Sequence, residues 1–249
     1  MKAIILAAGQ GKRLRPLTDD RPKCMVEYRG KPIVDYILSA MKDVGIDDIA
    51  VVGGYKIDVL KEYLKDKNIV FFENKDYERT NMVSTLFCAE DWMDDDIVIS
   101  YADIVYSSEI LKSLVMEDAA FSTTVDLEWL KLWSQRMQDP LGDAESMKFD
   151  LQDNIMELGK KPKSYEDIEA QYMGLIKIKK EQIAEIKSFY RGLDRGALYD
   201  GQTFDNMYMT SFLQMIIDKV SPVKAVKVYG GWLEIDSISD LDCAAYSAS

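Results

Sequence analysis

Chemistry can first be read in a glycine turn near the start of the chain. The stretch Leu6-Ala7-Ala8-Gly9-Gln10-Gly11-Lys12-Arg13-Leu14-Arg15-Pro16-Leu17 sets two glycines directly after an apolar run, with a guanidinium two residues further on. Glycine lets backbone N–H groups come close to an anion and Arg13 adds a fork of donors, so the stretch reads as a phosphate cradle. Ala7, Ala8 and Gly9 leave room for a flat base against the backbone. Two commoner phosphate loops do not fit. A dinucleotide fingerprint needs a third glycine where Leu14 stands and a helix at once, which Pro16 opposes. A Walker A loop ends in Gly-Lys-Ser/Thr, which is missing here. Lys23 follows in Arg21-Pro22-Lys23-Cys24-Met25, a cation fixed after a proline. Its alternative is an ordinary exposed lysine.

Two acids complete the set. Asp103, in Tyr101-Ala102-Asp103-Ile104-Val105, stands just past an apolar run read as a buried strand, where side chains face the ligand crevice of a parallel sheet. Asp236, in Trp232-Leu233-Glu234-Ile235-Asp236-Ser237, offers a second carboxylate. Either alone could instead cap a helix. The chain contains no His, which excludes Ser-His-Asp and Cys-His catalysis and His-ligated metals. The expected metal is therefore a hard cation on carboxylates, Mg²⁺ by default. The three cysteines, Cys24, Cys88 and Cys243, are odd in number and far apart. They read as reduced cytosolic thiols, with Cys24 as packing rather than a nucleophile.

The elements that must hold these groups alternate. Buried strands are expected at residues 3–7, 49–52, 69–72, 97–101 and 121–125, and helices from about Pro32 to Val44, over 57–64, 84–92 and 107–115. Gly45 would stop the first helix, and Ser107 or Ser108 would cap the last. Later come a strand over 171–178, a helix over 203–219, a strand over 223–228 and a short extended piece at 232–235, with Ser237 as cap of a last helix. The pattern predicts a mostly parallel mixed sheet covered by helices on both faces. No repeat, linker or domain boundary is visible, so one domain over 1–249 is expected, with 1–115 mainly binding nucleotide and 120–230 mainly binding acceptor.

The glycine-turn motif, followed by Pro22-Lys23, resembles the sugar-phosphate nucleotidyltransferase superfamily, which includes glucose-1-phosphate thymidylyltransferases and bacterial phosphocholine cytidylyltransferases. The likeness is strongest over residues 1–55. It implies a GT-A-like Rossmann-type α/β fold. By match, Leu6, Ala8 and Gly9 would meet base and ribose, Gly11 and Arg13 the triphosphate, and Lys23 the phosphates in the transition state. Asp103 and Asp236 match the acids that hold Mg²⁺. Gly54, at the end of the second strand, lies where ligands bind at the edge of such sheets. Asn81 and Ser84 can satisfy a pyrimidine's donor and acceptor edges, or simply cap a helix. Their Asn-x-x-Ser spacing resembles the phosphocholine and phosphonate cytidylyltransferase branch, which favours CTP.

On the acceptor side, Glu157-Leu158-Gly159-Lys160-Lys161-Pro162 resembles the superfamily's Glu-Lys-Pro element, making Lys161 the expected phosphate ligand. Tyr172 and Gly174 match a strand that runs beside the acceptor. Trp129 and Trp133 share a helix face, with Arg136 and the acids from Asp139 to Glu145 nearby. Aromatics with carboxylates suit a cationic amine; Arg136 suits the carboxylate of an amino-acid phosphate. The alternative for the Trp pair is packing. The reading is thus CTP plus a small phosphorylated or phosphonate metabolite, with pyrophosphate released. Other readings are a sugar-1-phosphate nucleotidyltransferase using another NTP, a glycosyltransferase of similar fold, or a non-catalytic nucleotide-binding module. A net charge of −12 opposes nucleic acid and anionic membranes as partners. No signal or membrane span is expected, the location is read as cytoplasmic, and a homodimer is left open.

Overall fold

The run Lys2–Ala7 forms strand β1, whose neighbours hydrogen-bond to it on both sides in a computed structural model describing residues 1–243. The chain continues through α1 (Ile33–Asp43), β2 (Asp48–Gly53), α2 (Ile57–Tyr63), β3 (Ile69–Glu73), α3 (Met82–Phe87), β4 (Ile97–Tyr101), β5 (Ile104–Tyr106) and α4 (Ser108–Met116). The second half carries β6 (Phe121–Asp126), α5 (Trp129–Arg136), β7 (Met147–Phe149), β8 (Ile155–Leu158), β9 (Gln171–Ile178), α6 (Lys180–Arg191), α7 (Met209–Lys219), β10 (Lys224–Val228) and β11 (Trp232–Glu234).

The main sheet has seven strands in the order β10-β6-β9-β4-β1-β2-β3. All its pairings are parallel except those of β9, which runs antiparallel to both β4 and β6. The expected α/β fold with a mostly parallel mixed sheet is the observed one. Strand side chains alternate between faces, and β1 divides accordingly. Ala3 and Ile5 join one buried cluster with Ile33, Ile37 and Met41 of α1 and Trp129 and Trp133 of α5. Ile4 and Leu6 join the other, with Val83 and Leu86 of α3, Ile183 and Ile186 of α6, and Phe212 and Ile216 of α7.

Several boundaries differ from expectation. Helix α3 stops at Phe87, and the chain tightens into a short turn at Glu90–Trp92 rather than continuing. The helix expected from Thr203 starts at Met209, because Phe204–Asn206 forms a separate turn that supports α3. The 171–178 strand is joined by two elements that were not expected, the β7–β8 hairpin and helix α6.

Candidate active site

The glycine turn is held from below. Leu14 is fully buried and anchors it. Thr18 Oγ1 donates to the Gly11 carbonyl at 2.9 Å, and the Tyr55 hydroxyl donates to the Thr18 carbonyl at 2.9 Å. The Tyr55 amide reaches the Ala8 carbonyl at 3.2 Å, tying the turn to the end of β2. Gly11 has φ +60, and a Cβ there would lie 3.0 Å from both Lys23 Cβ and Thr18 Cγ2, so no larger residue fits without movement. At Gly9 a Cβ would meet nothing within 4 Å, which leaves the turn open on the crevice side.

The two acids, 133 positions apart in sequence, are brought together by a small ladder. Strand β11 pairs antiparallel with β5, Glu234 opposite Ile104, and the Ile235 amide donates to the Asp103 carbonyl at 2.8 Å. Asp103 and Asp236 therefore emerge side by side. Lys23 Nζ donates to both, 2.8 Å from Asp103 Oδ2 and 2.8 Å from Asp236 Oδ1. Its side chain is 12% exposed. Burial alone would lower the Lys23 pKa, but Asp103, Asp236 and Glu234 outweigh it and hold the ammonium charged. Arg13, largely exposed, pairs with the other oxygen of Asp236. Neither acid caps a helix: Ser107 caps α4 and Ser237 caps the last turn. Asp103 Oδ1 is buried without a hydrogen-bond partner. A free carboxylate oxygen of this kind, beside a second acid, fits a hard divalent cation. Among the described residues no group of three metal-ligating side chains is assembled, so phosphate and water oxygens would complete the shell.

Behind Asp236 lies a second layer. Asp240 accepts from the amides of Asp236 at 3.0 Å and Ser237 at 2.8 Å, and from Arg136 Nε at 2.9 Å. Arg136 also reaches Glu234 at 3.1 Å. Burial raises the Glu234 carboxyl, with Asp103 adding to the shift and Arg136 and Lys23 opposing it.

Residues 3–147 match the MobA-like NTP transferase domain family. The chain belongs to this family. It is also 52% identical to the CTP:phosphoglutamine cytidylyltransferase of Campylobacter jejuni, an alignment covering 97% of this chain and 98% of that one. It is 31% identical to the choline-phosphate cytidylyltransferase of Streptococcus pneumoniae over 59% of this chain and 66% of that one. The inositol-1-phosphate CTP transferase of T. maritima shares the fold with a TM-score of 0.73, covering 96% of this chain and 90% of that one at 24% identity. The chain is an enzyme, a nucleotidyltransferase, as the glycine turn and its Lys-Asp-Asp partners implied.

In this transferase Leu6, Gly9, Lys23 and Asp103 line one crevice together with Ala7, Cys24, Ala102 and Met82. Ala8 is buried beside it. Met82 and Thr18 were missed by sequence reasoning. Cys24 lines the crevice floor, and burial pushes its thiol up to about 12, so it is protonated at neutral pH and serves as packing. Gly54 is packed against Tyr77 and the Ala8 carbonyl, 2.7 Å and 3.0 Å from where its Cβ would stand. Asn81 Oδ1 accepts from the Met82 amide at 2.8 Å as cap of α3, and Ser84 Oγ donates to the Asp205 carbonyl at 3.0 Å. Asn81 thus caps α3, while Ser84, inside the helix, ties it to the 204–206 turn.

Two acceptor assignments, the Trp pair and Arg136, need correction. Trp129 and Trp133 are buried in an aromatic cluster, edge to face with each other at 6.1 Å, and Trp133 lies 6.1 Å from Trp232. Arg136 is spent on Asp240 and Glu234 and is not free for a substrate carboxylate. Lys161 donates to the carbonyls of Leu141 and Gly142. Tyr172 and Gly174 both meet Tyr101, two residues before Asp103. Gly174, at φ +85, makes room for the Tyr101 ring, whose Cγ would be 2.7 Å from a Cβ there. Tyr101 and Tyr172 then meet edge to face at 5.8 Å. The Arg136–Asp240 support had one sequence signal, the Ser237-x-x-Asp240 capping box.

Proposed function

We propose that this chain is a cytidylyltransferase that moves CMP from CTP onto phosphoglutamine or a close amino-acid phosphate, with Mg²⁺, releasing pyrophosphate. The observation that carries the reading is the placement of Lys23 Nζ at 2.8 Å from both Asp103 and Asp236, at the mouth of the glycine turn. The choice of CTP and of the acceptor rests on the 52% identity to the Campylobacter jejuni enzyme over nearly the whole chain. Asp103 and Asp236 would hold the Mg²⁺, whose contribution is to neutralise charge on the triphosphate. The chain's own groups do the remainder. The glycine turn and Arg13 grip the β- and γ-phosphates. Lys23 faces the α-phosphate, where charge builds as the acceptor oxygen attacks in line and the bond to pyrophosphate breaks. A phosphate nucleophile is already ionised near pH 7, so no general base is required, in keeping with a chain that has no His.

Residues 1–115 would carry the nucleotide and 120–230 the acceptor. No described helix is long and apolar enough to cross a membrane, and a nucleotide substrate with free thiols suits the cytosol. The test is pyrophosphate release by the purified chain with four NTPs crossed against phosphoglutamine, phosphocholine, aminoethylphosphonate and glucose 1-phosphate. CTP with phosphoglutamine should give a kcat/KM at least about tenfold above every other pair, a difference of roughly 1.4 kcal/mol. A faster reaction of glucose 1-phosphate with another NTP, or no turnover of CTP with any acceptor, would reject the reading.

A further inference from the structure

Glu145 is the one prominent acid beside the active centre that the mechanism leaves without a task. It is half-buried, and none of the described lysines or arginines pairs with it. Among the described residues its side chain has one hydrogen bond, a long one from Thr210 Oγ1, 3.3 Å to Oε1. The charged groups that bear on it, Asp143 and Asp200, are both acids. An uncompensated carboxylate in a half-buried site is costly unless a cation arrives to meet it.

The backbone around Glu145 is clamped. Gln171, itself buried, accepts from the Glu145 amide at 3.0 Å and donates to its carbonyl at 2.5 Å. One residue on, the Ser146 amide donates to the Lys160 carbonyl at 2.8 Å. The side chain is therefore aimed by its main chain. The Gln171 clamp sets Glu145 at the start of β9, one residue from Tyr172, whose ring meets Tyr101 two residues before Asp103. An unpaired carboxylate and two aromatic rings, with Asp103 two residues beyond Tyr101, are groups that suit a nitrogen cation.

We propose that Glu145 selects the acceptor, its carboxylate taking the ammonium group of an amine-bearing phosphorylated substrate beside the Tyr101–Tyr172 ring pair. This rests on the cytidylyltransferase reading above and adds a specificity-determining residue to it. The substrate's phosphorus end then faces Asp103 and Lys23 while its amine end is held about a side chain's length away. Acceptors without a positive nitrogen leave the acid unpaired, and are rejected for that reason.

The test compares the wild-type chain with Glu145→Gln and Glu145→Asp. Each is assayed for pyrophosphate release from CTP with phosphoglutamine and with the same compound lacking its α-amino group. Expected is a rise of about thirtyfold or more in the phosphoglutamine KM for Glu145→Gln, with the CTP KM unchanged within about twofold. The preference for the amine-bearing acceptor should collapse in Glu145→Gln and partly return in Glu145→Asp, whose shorter acid keeps the charge. An equal loss on both acceptors, a fall in kcat at unchanged KM, or no effect at all overturns the assignment of Glu145 while leaving the cytidylyltransferase reading in place. A wild-type chain that ignores phosphoglutamine altogether overturns the acceptor reading and the role of Glu145 with it.

Discussion

At the scale of single residues, the site depends on Lys23 standing between two acids that would otherwise repel each other. Its ammonium is buried, doubly hydrogen-bonded and held charged. On the proposed mechanism that arrangement gives the lysine two duties. It neutralises Asp103 and Asp236 before substrate arrives, and it presents preorganised positive charge to the phosphorus centre as the reaction proceeds. Lys23→Ala should therefore lower kcat about a thousandfold, roughly 4 kcal/mol of transition-state stabilisation. The CTP KM should change less than tenfold, since on the same mechanism Arg13 and the glycine turn still grip the distal phosphates. Steady-state kinetics with pyrophosphate detection checks this. A variant whose KM rises by orders of magnitude at constant kcat would make Lys23 a binding group only. The reason Lys23 could be singled out in the sequence is local: a proline fixes the preceding turn and the glycine cradle lies just upstream. What could not be seen was that one lysine would bridge both acids, because that depends on tertiary closure across 213 positions.

At the scale of elements, the decisive device is the short β5–β11 ladder, three residues on each strand, which carries Asp103 and Asp236 to one place. So small a ladder is weak alone, and it is braced by Arg136 at the end of α5, which ties Asp240 and Glu234 together. Arg136 and Asp240 are both only 4% exposed. Removing one partner of a buried pair strands the other, at a cost of about 3–5 kcal/mol. Arg136→Ala should lower the melting midpoint accordingly and weaken metal binding about ten- to a hundredfold by loosening the loop that orients Asp236. Thermal denaturation and a Mg²⁺ titration of activity read the two effects. Full metal affinity in a stably folded variant would mean that the brace is unnecessary. The sequence made the sheet strands plain because buried parallel strands are unbroken apolar runs. It hid helix α6, although Ile183, Ile186 and Tyr190 do fall on one face, because the polar residues between them masked the period. It also hid the β7–β8 hairpin, whose strands of three and four residues are too short to carry a pattern. The acceptor residues were the least legible. A Trp pair and an Arg near acids look the same in a sequence whether they face a ligand or each other, and here Trp133 turns to Trp232 and Arg136 to Asp240.

At the scale of the whole molecule, strands from the first and second halves of the chain share one sheet. Strand β4, which ends at the catalytic edge, pairs with β1 on one side and with β9 on the other. Alternate residues of β1 feed both buried clusters: losing the packing of one face withdraws the support on which the other is built. We therefore expect residues 1–243 to unfold as one cooperative unit, even though chains of this length often populate intermediates. The tryptophans make the test direct. Trp129, Trp133 and Trp232 belong to one face, while Trp92 packs against the other. In a Trp92→Phe variant, fluorescence reports the first face alone, whereas far-UV circular dichroism reports helices on both. Urea midpoints from the two signals should coincide. Midpoints separated by more than about 0.5 M would show that the faces melt independently. Saturating CTP with Mg²⁺ sharpens the distinction. At a hundred times its dissociation constant it should stabilise a single unit by about 2.7 kcal/mol, moving both signals together. If the faces were independent, the two signals would move by different amounts.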